Sequence, residues 1–276
     1  MKIINQTISV QLVTLLVLMS ATAGAVNAGG LVEVDIDFAT DFSDPLTIDN
    51  PYWQLLPGNT FVYRAVEDDE CLVNEVVVTD TTKSDFVAPY NNITARVVDD
   101  TEWEDTDCDG IGDGDPLEVT QDWYAQDDFG HIWYFGEETE DEEGSTEGSW
   151  EAGKDVADVG SIAEPGIVML AHPDVPTVQT DDSVLAAPGL FYEQEYYEEE
   201  AEDMGKVKRL NAKVVLEMEN NLVTSEYTDC LVTKEWTPLE RGAVEHKYYC
   251  PYVGLVLINE LSGGPTVRVE LVGLNP

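Results

Sequence analysis

Short runs of β-branched and aromatic residues, broken by Gly, Pro, Asn or Asp, recur along most of the chain. Alternation of apolar and polar positions in such runs is typical of strands with one buried face. The pattern predicts an all-β protein, an antiparallel β-barrel or sandwich with long acidic loops, as one domain at 51–276 after an extended lead-in at 29–50. The clearest runs are 60–64, 74–79, 93–98, 132–135, 231–236 and 267–272.

The N-terminal segment has the three parts of a secretory signal. Lys2 gives a positive start, residues 8–19 are apolar, and Val26-Asn27-Ala28 provides small residues for cleavage. We therefore expect residues 1–28 to be removed and the mature protein to be secreted or periplasmic. Later apolar runs are shorter than the roughly 20 residues of a spanning helix, so no transmembrane segment is expected in the mature chain.

The chain is strongly acidic, with a formal net charge of -43. No Lys or Arg lies between Arg96 and Lys154, and acidic residues crowd 137–143 and 193–203. A surface of this charge repels nucleic acid, which is excluded as a partner. Binding of divalent cations, solubility in salty surroundings and a cationic partner all account for the acidity. Acidic segments this dense are typical of solvated loops.

A run of alternating oxygen ligands in DTDCDGIGDGD has the spacing of a calcium loop. The loop is similar to thrombospondin type 3 and EF-hand-like repeats, although Pro116 stands where an EF-hand has its bidentate Glu. We expect the calcium ion to have a structural role rather than a sensing role. The predicted ligands are Asp105, Asp107, Asp109, the Ile111 carbonyl and Asp113, completed by Asp115 or Glu118.

Four cysteines allow three disulfide pairings. The segments 229–236 and 244–250 are typical of a hairpin, in which the numbers of facing residues sum to about 480. Cys230 and Cys250 fit that register, which predicts a cross-strand disulfide between them. Cys71 would then pair with Cys108 and tie the acidic loop to an early strand.

The same register places Lys234 across from His246 on one face of the hairpin. Two groups that carry positive charge need an anion or carboxylate nearby, so this face is a candidate ligand surface. A solvated face or an internal ion pair is the alternative. The candidate ligand-facing residues are Lys234, Trp236, His246 and Tyr248.

Aromatic residues are dense in a second predicted hairpin at 122–135. Packing across the two strands accounts for them, and a surface for a sugar or an apolar ligand is the alternative.

Several strings resemble a widespread family of bacterial exported proteins without an established activity. The resemblance covers most of residues 45–260 and implies no catalytic residue. The acidic loop and the four cysteines depart from the family's usual pattern. The strings are DNPYWQLLPGNTFVYR, DWYAQDDFGHIWYFGEET, STEGSWEAG, EAEDMGKV and VTKEWTPLERGAVEHKYYCPYVGLVLINE.

Three functions fit these observations. The first is a non-catalytic binding or carrier protein of the cell envelope for an apolar, amphipathic or glycan ligand, with calcium stabilising a loop. The second is a hydrolase of an extracellular polymer, using acids such as Asp122, Asp127, Glu147 or Glu151. The third is an acidic, calcium-associated matrix protein. We favour the first, because no nucleophile and base are paired in the sequence.

Overall fold

The computed structural model of the protein describes residues 31, 34–67, 70–173, 191–218, 223–261 and 266–275. The predicted signal peptide at 1–28 and part of the predicted lead-in lie outside these residues.

Thirteen strands make up the regular structure, and the described residues contain no helix. The six runs singled out in the sequence fall in strands, although the third strand begins two residues later than its run. The strands are β1 Thr60–Glu67, β2 Glu70–Lys83, β3 Ala95–Glu104, β4 Glu118–Gln126, β5 Ile132–Asp141, β6 Trp150–Glu151, β7 Glu164–Met169, β8 Tyr192–Tyr197, β9 Ala201–Val215, β10 Glu226–Trp236, β11 Val244–Cys250, β12 Gly254–Glu260 and β13 Val267–Asn275.

Twelve strands close into an antiparallel barrel, which confirms the predicted fold class. Successive strands pair from β1 to β5 and from β7 to β13; β5 also pairs with β7, and β1 with β13. The two-residue β6 extends the sheet from β5 alone. In the residues covered by the structure, no helix is long and apolar enough to cross a membrane.

Two acidic segments that the sequence assigns to solvated loops lie mostly in strands. Residues 137–141 belong to β5, and residues 193–203 run from β8 into β9. Glu137, Glu195 and Asp203 are buried because their side chains face the inside of the barrel. The sequence of residues 199–208 offers the best match to a helical pattern in the mature chain, but it has no consistent apolar stripe, and residues 201–208 belong to β9.

The aromatic hairpin packs on both faces of β4 and β5. Tyr124 and Tyr134 stack with ring centroids 4.8 Å apart on the inner face. On the outer face Trp133 contacts Phe38 from the predicted lead-in, at 5.1 Å between centroids. Five further aromatic residues complete this outer cluster: Phe42, Phe86, Tyr90, Trp123 and Phe135. Their side chains pack against one another, so the cluster is not an open ligand surface.

Both predicted disulfides are present, Cys71–Cys108 and Cys230–Cys250. The hairpin register is also as predicted, since Leu231 faces Tyr249 and Trp236 faces Val244. Disulfides persist in oxidising compartments, so the two bonds fit a location outside the cytoplasm.

Candidate functional site

The inside of the barrel holds a cavity of about 60 Å³, large enough for a few water molecules or a small ligand. Its wall combines an apolar part, an aromatic part and a polar part. The apolar part consists of Leu55, Phe61, Val76, Val98, Val168 and Leu255. The aromatic part consists of Trp53, Tyr63, Tyr124 and Tyr249, and the polar part of Asp100, Asp122, Gln194, Glu235 and Lys247.

Trp53 lies between two tyrosines of the cavity wall. Its ring centroid is 5.4 Å from that of Tyr124 and 5.7 Å from that of Tyr249. Trp53 precedes β1, whereas the tyrosines belong to β4 and β11 on different parts of the barrel. Three aromatic rings around one cavity form a surface that favours apolar groups and cations.

Asp100 carries a carboxyl group of the cavity wall that is not paired with a cation. It accepts a hydrogen bond from the side-chain amide of Asn74, and no Lys, Arg or His of the described chain forms a salt bridge with it. Burial raises the pKa of Asp100 to about 7, and the nearby charge of Glu118 adds to the rise. The cavity therefore presents a carboxyl group that changes charge near neutral pH.

The Tyr134 hydroxyl joins two further inner carboxyls. Its oxygen lies 2.6 Å from Asp122 Oδ1 and 2.9 Å from Glu137 Oε2. A phenol has one proton to donate, so one contact requires a protonated carboxyl that donates to the phenol oxygen. Burial raises the pKa of both carboxyls, and the charge of Glu137 raises that of Asp122 further.

Glu195 and Asp203 form a second pair of inner acids. They face each other across β8 and β9 and are both buried. Burial raises the pKa of each, and the charge of Asp203, which also accepts a hydrogen bond from Glu195, raises the pKa of Glu195 further. The inside of the barrel thus holds two separate pairs of acids whose pKa values are raised by burial.

Lys247 is the buried cation of this region, with 5% of its surface exposed. Its ammonium nitrogen lies 3.0 Å from a Glu235 oxygen and 3.5 Å from a Glu245 oxygen. Although burial alone would lower the pKa of Lys247, these two carboxylates raise it above its ordinary value. The positive charge of Lys247 is therefore already balanced by two acids.

Gln194 supplies an unused hydrogen-bond acceptor. Only 1% of this residue is exposed, it lines the cavity, and its Oε1 has no hydrogen-bond partner among the residues that the structure describes. A buried amide oxygen without a partner costs about 1–3 kcal/mol, which a bound donor would recover.

The four acids named for a hydrolase are scattered. Asp122 lies inside the barrel, and Glu147 is exposed in a loop. Glu151 pairs with Lys83 at 3.2 Å and Lys154 at 2.6 Å.

Asp127 organises the β4–β5 turn. It accepts hydrogen bonds from the side chains of His131 and Trp133, both at 2.9 Å. Burial would raise the pKa of Asp127, but the hydrogen bonds and charge of His131 together with the hydrogen bond of Trp133 lower it. The role visible in the structure is therefore to hold the turn.

Three of the predicted calcium ligands come together. Carboxylate oxygens of Asp105, Asp107 and Asp109 lie within 4.8 Å of one another. Asp105 is buried, and its Oδ2 lies 3.3 Å from the Arg64 guanidinium. The disulfide at Cys108 ties the loop to β2.

The other predicted ligands have different surroundings. Asp113 accepts a hydrogen bond from the Thr106 backbone N–H at 3.0 Å, while Ile111 and Asp115 are exposed. Glu118 lies in β4, and its charge raises the pKa of the inner acids Asp100 and Glu137. Glu118 therefore belongs to the inside of the barrel as well as to the end of the loop.

The predicted ligand-facing residues Lys234, Trp236, His246 and Tyr248 lie on the outer face of the hairpin, and all four are partly exposed. The inner face consists of the alternate residues, among them Glu235, Lys247 and Tyr249. A ligand on the predicted residues would bind outside the barrel, away from the cavity.

Sequence reasoning missed most of the inner site. Asp100, Glu137, Gln194, Glu235 and Lys247 were not singled out by it. The signal in the sequence was that polar residues recur at alternate positions of β3, β4 and β10. In the barrel these polar residues face inward, and the residues between them face outward.

No protein-family model matches the chain, and no curated protein matches it. Two solved structures are similar to it. A candidate exported protein with a YmcC-like fold from Bacteroides fragilis is 13% identical, with 86% of this chain and 100% of that chain covered and a TM-score of 0.39. A candidate lipoprotein from Parabacteroides distasonis is 11% identical, with 83% and 99% covered and a TM-score of 0.35.

Proposed function

We propose that the protein is a non-catalytic binding protein that holds a small amphipathic amine inside its barrel. The cavity carries the proposal, because aromatic rings, apolar side chains and the carboxyl of Asp100 meet at one place. An ammonium group would pair with Asp100 and face the aromatic rings, while its alkyl part would contact the apolar wall. The amide oxygen of Gln194 would accept an N–H.

The charges of the cavity favour a cation over an anion. Lys247 is paired with Glu235 and Glu245, whereas the partner of Asp100 among the described residues is the neutral amide of Asn74. A divalent metal ion is less suited, since the inner carboxyls of the described chain do not form a group of three within 4.8 Å. The small volume also disfavours a polymer substrate.

We expect n-butylammonium to bind with one site per chain, and n-butyrate to bind at least tenfold more weakly. Affinity should rise from pH 6 to pH 8, because Asp100, with a pKa of about 7, must ionise to pair with the ammonium group. Calorimetry and Trp fluorescence measure both effects. Asp100→Asn should weaken binding by about 10-fold or more, the loss of one charged hydrogen bond.

Asp99→Asn is the matched control, since it removes the same charge one residue away on the opposite face of β3, where Asp99 contacts Gln121. Equal affinity for butylammonium and butyrate would contradict the proposal. So would equal losses in the two variants, or no butylammonium binding by the folded protein.

We also propose that the loop at 105–113 binds calcium in a structural role. The three converging carboxylates support it, and Arg64 and the disulfide hold the first of them in place. The carbonyl of Ile111 and the carboxyl of Asp113 would complete the shell, with Asp115 or Glu118.

Asp107→Asn combined with Asp109→Asn should abolish calcium binding measured by calorimetry and the calcium-dependent rise in melting temperature. Glu138→Gln combined with Glu140→Gln removes the same charge from exposed positions of β5 and should change neither. Calcium binding that survives the loop variant would place the ion elsewhere.

A further inference from the structure

Basic groups gather on the outer face of β9, β10 and β11, in a chain with 13 Lys and Arg against 56 Asp and Glu. Lys234 on β10 faces Lys206 on β9 in direct register. Lys208 lies where the β9–β10 register shifts, and its ammonium nitrogen is 2.7 Å from His246 Nε2 on β11. Three strands therefore contribute positive or protonatable groups to one patch.

These groups lack acidic partners among the residues that the structure describes. Lys206, Lys208 and Lys234 form no salt bridge there, whereas Lys213 on the same strand β9 pairs with Glu226 at 2.8 Å. His246 is flanked by Lys208 and Lys234, and burial together with these two charges lowers its pKa. The lowered pKa keeps His246 neutral, so that its Nε2 accepts a hydrogen bond from the Lys208 ammonium. The charges of Lys206, Lys208 and Lys234 repel one another, and a bound anion would relieve this repulsion.

Aromatic side chains lie beside these basic groups. The Lys234 ammonium lies 5.0 Å from the Trp236 ring centroid, and Trp236 packs edge-on against Phe191 at 5.9 Å. The contact with the Trp236 ring keeps the Lys234 ammonium at the patch, although Lys206 faces it across the strands. The patch is thus partly ordered before any ligand arrives.

We propose that Lys208, Lys234 and His246, supported by Lys206, form a binding site for a phosphate-like oxyanion. The lysines supply charged donors to its oxygens, and His246 donates once it is protonated. Acidic groups farther away than the Debye length of about 8 Å are largely screened in physiological salt. The charges that act on His246 are those of Lys208 and Lys234. The site lies outside the barrel and is independent of the amine cavity.

The test follows the His246 ring signals by NMR while inorganic phosphate is added at constant ionic strength. We expect saturable shifts and a rise of about one unit in the pKa of His246, because a bound anion favours imidazolium. The variant K208Q/K234Q should bind phosphate at least tenfold more weakly. The control K213Q removes an exposed, paired lysine from the same strand and should bind normally.

A second arm separates a soluble phosphate from a lipid headgroup, using vesicles of phosphatidylglycerol or phosphatidylcholine. Vesicle binding that needs the anionic lipid and is lost in K208Q/K234Q assigns the site to a headgroup; phosphate binding alone assigns it to a soluble oxyanion. Absence of any His246 response to phosphate and to anionic vesicles would overturn the proposal. An equal loss in K213Q would overturn it too.

Discussion

The free energy of unfolding should fall by several kcal/mol between pH 5 and pH 8. Burial raises the pKa of Asp100 to about 7 and raises those of Glu137 and Asp203, whereas unfolded carboxyls titrate near 4. The folded protein therefore holds protons that the unfolded chain releases. This stability is complete below the unfolded pKa and is lost as the pH rises through the folded pKa, by about 1.4 kcal/mol per pH unit for each group.

Urea unfolding at constant ionic strength, from pH 5 to pH 8, measures this slope. Repulsion among the many surface acids acts in the same direction, so the contribution of the inner acids needs a matched pair of variants. Glu137→Gln should flatten the slope, whereas Glu138→Gln removes an exposed charge from the next position of β5 and should leave it nearly unchanged. A stability that rises towards pH 8 would show that the inner acids are ionised in the folded protein.

Lys247→Met should destabilise the protein by about 3–5 kcal/mol at pH 8, the usual cost of removing one partner of a buried ion pair. Lys247 and Glu235 are both at least 95% buried, so water cannot replace the lost ammonium group. Glu235 and Glu245 would then remain as neighbouring acids without their cation. Urea unfolding of the variant and the parent protein measures the difference.

The double variant Lys247→Met, Glu235→Gln should recover part of this loss, because it removes one of the stranded charges. Lys213→Met is the matched exposed control. Its pair with Glu226 is more than half exposed on each side, so its loss should cost no more than about 1 kcal/mol. A similar loss of unfolding free energy in the Lys247 and Lys213 variants would show that the buried ion pair of Lys247 contributes no more than an exposed one.

The strands and both disulfides follow from the sequence because they depend on local rules. In two antiparallel strands joined by a short connection, the numbers of facing residues have a constant sum. This sum places Cys230 opposite Cys250. Once those two residues were paired, Cys71 and Cys108 had no other partner. Each step used residues close in sequence or a choice among few alternatives.

The inner acids were not predictable in the same way. In β4 the alternate residues Glu118, Thr120 and Asp122 are polar, which is typical of a strand face in water. Only closure of the ring turns this face inward, and closure depends on pairs far apart in the chain. Trp53 is a similar case, since its tyrosine neighbours come from distant strands.

The order of strands around the ring also bears on how the protein assembles. Nearly every strand pairs with its neighbour in sequence, so most of the sheet can form while the chain is still lengthening. The exceptions are β5, which pairs with β7 past the short β6, and β1, whose second partner is β13 at the opposite end of the domain. Contacts between such distant segments form slowly, because a long stretch of chain must first be ordered. The last strand, Val267–Asn275, is thus needed to close the ring of strands that surrounds the cavity and the inner acids.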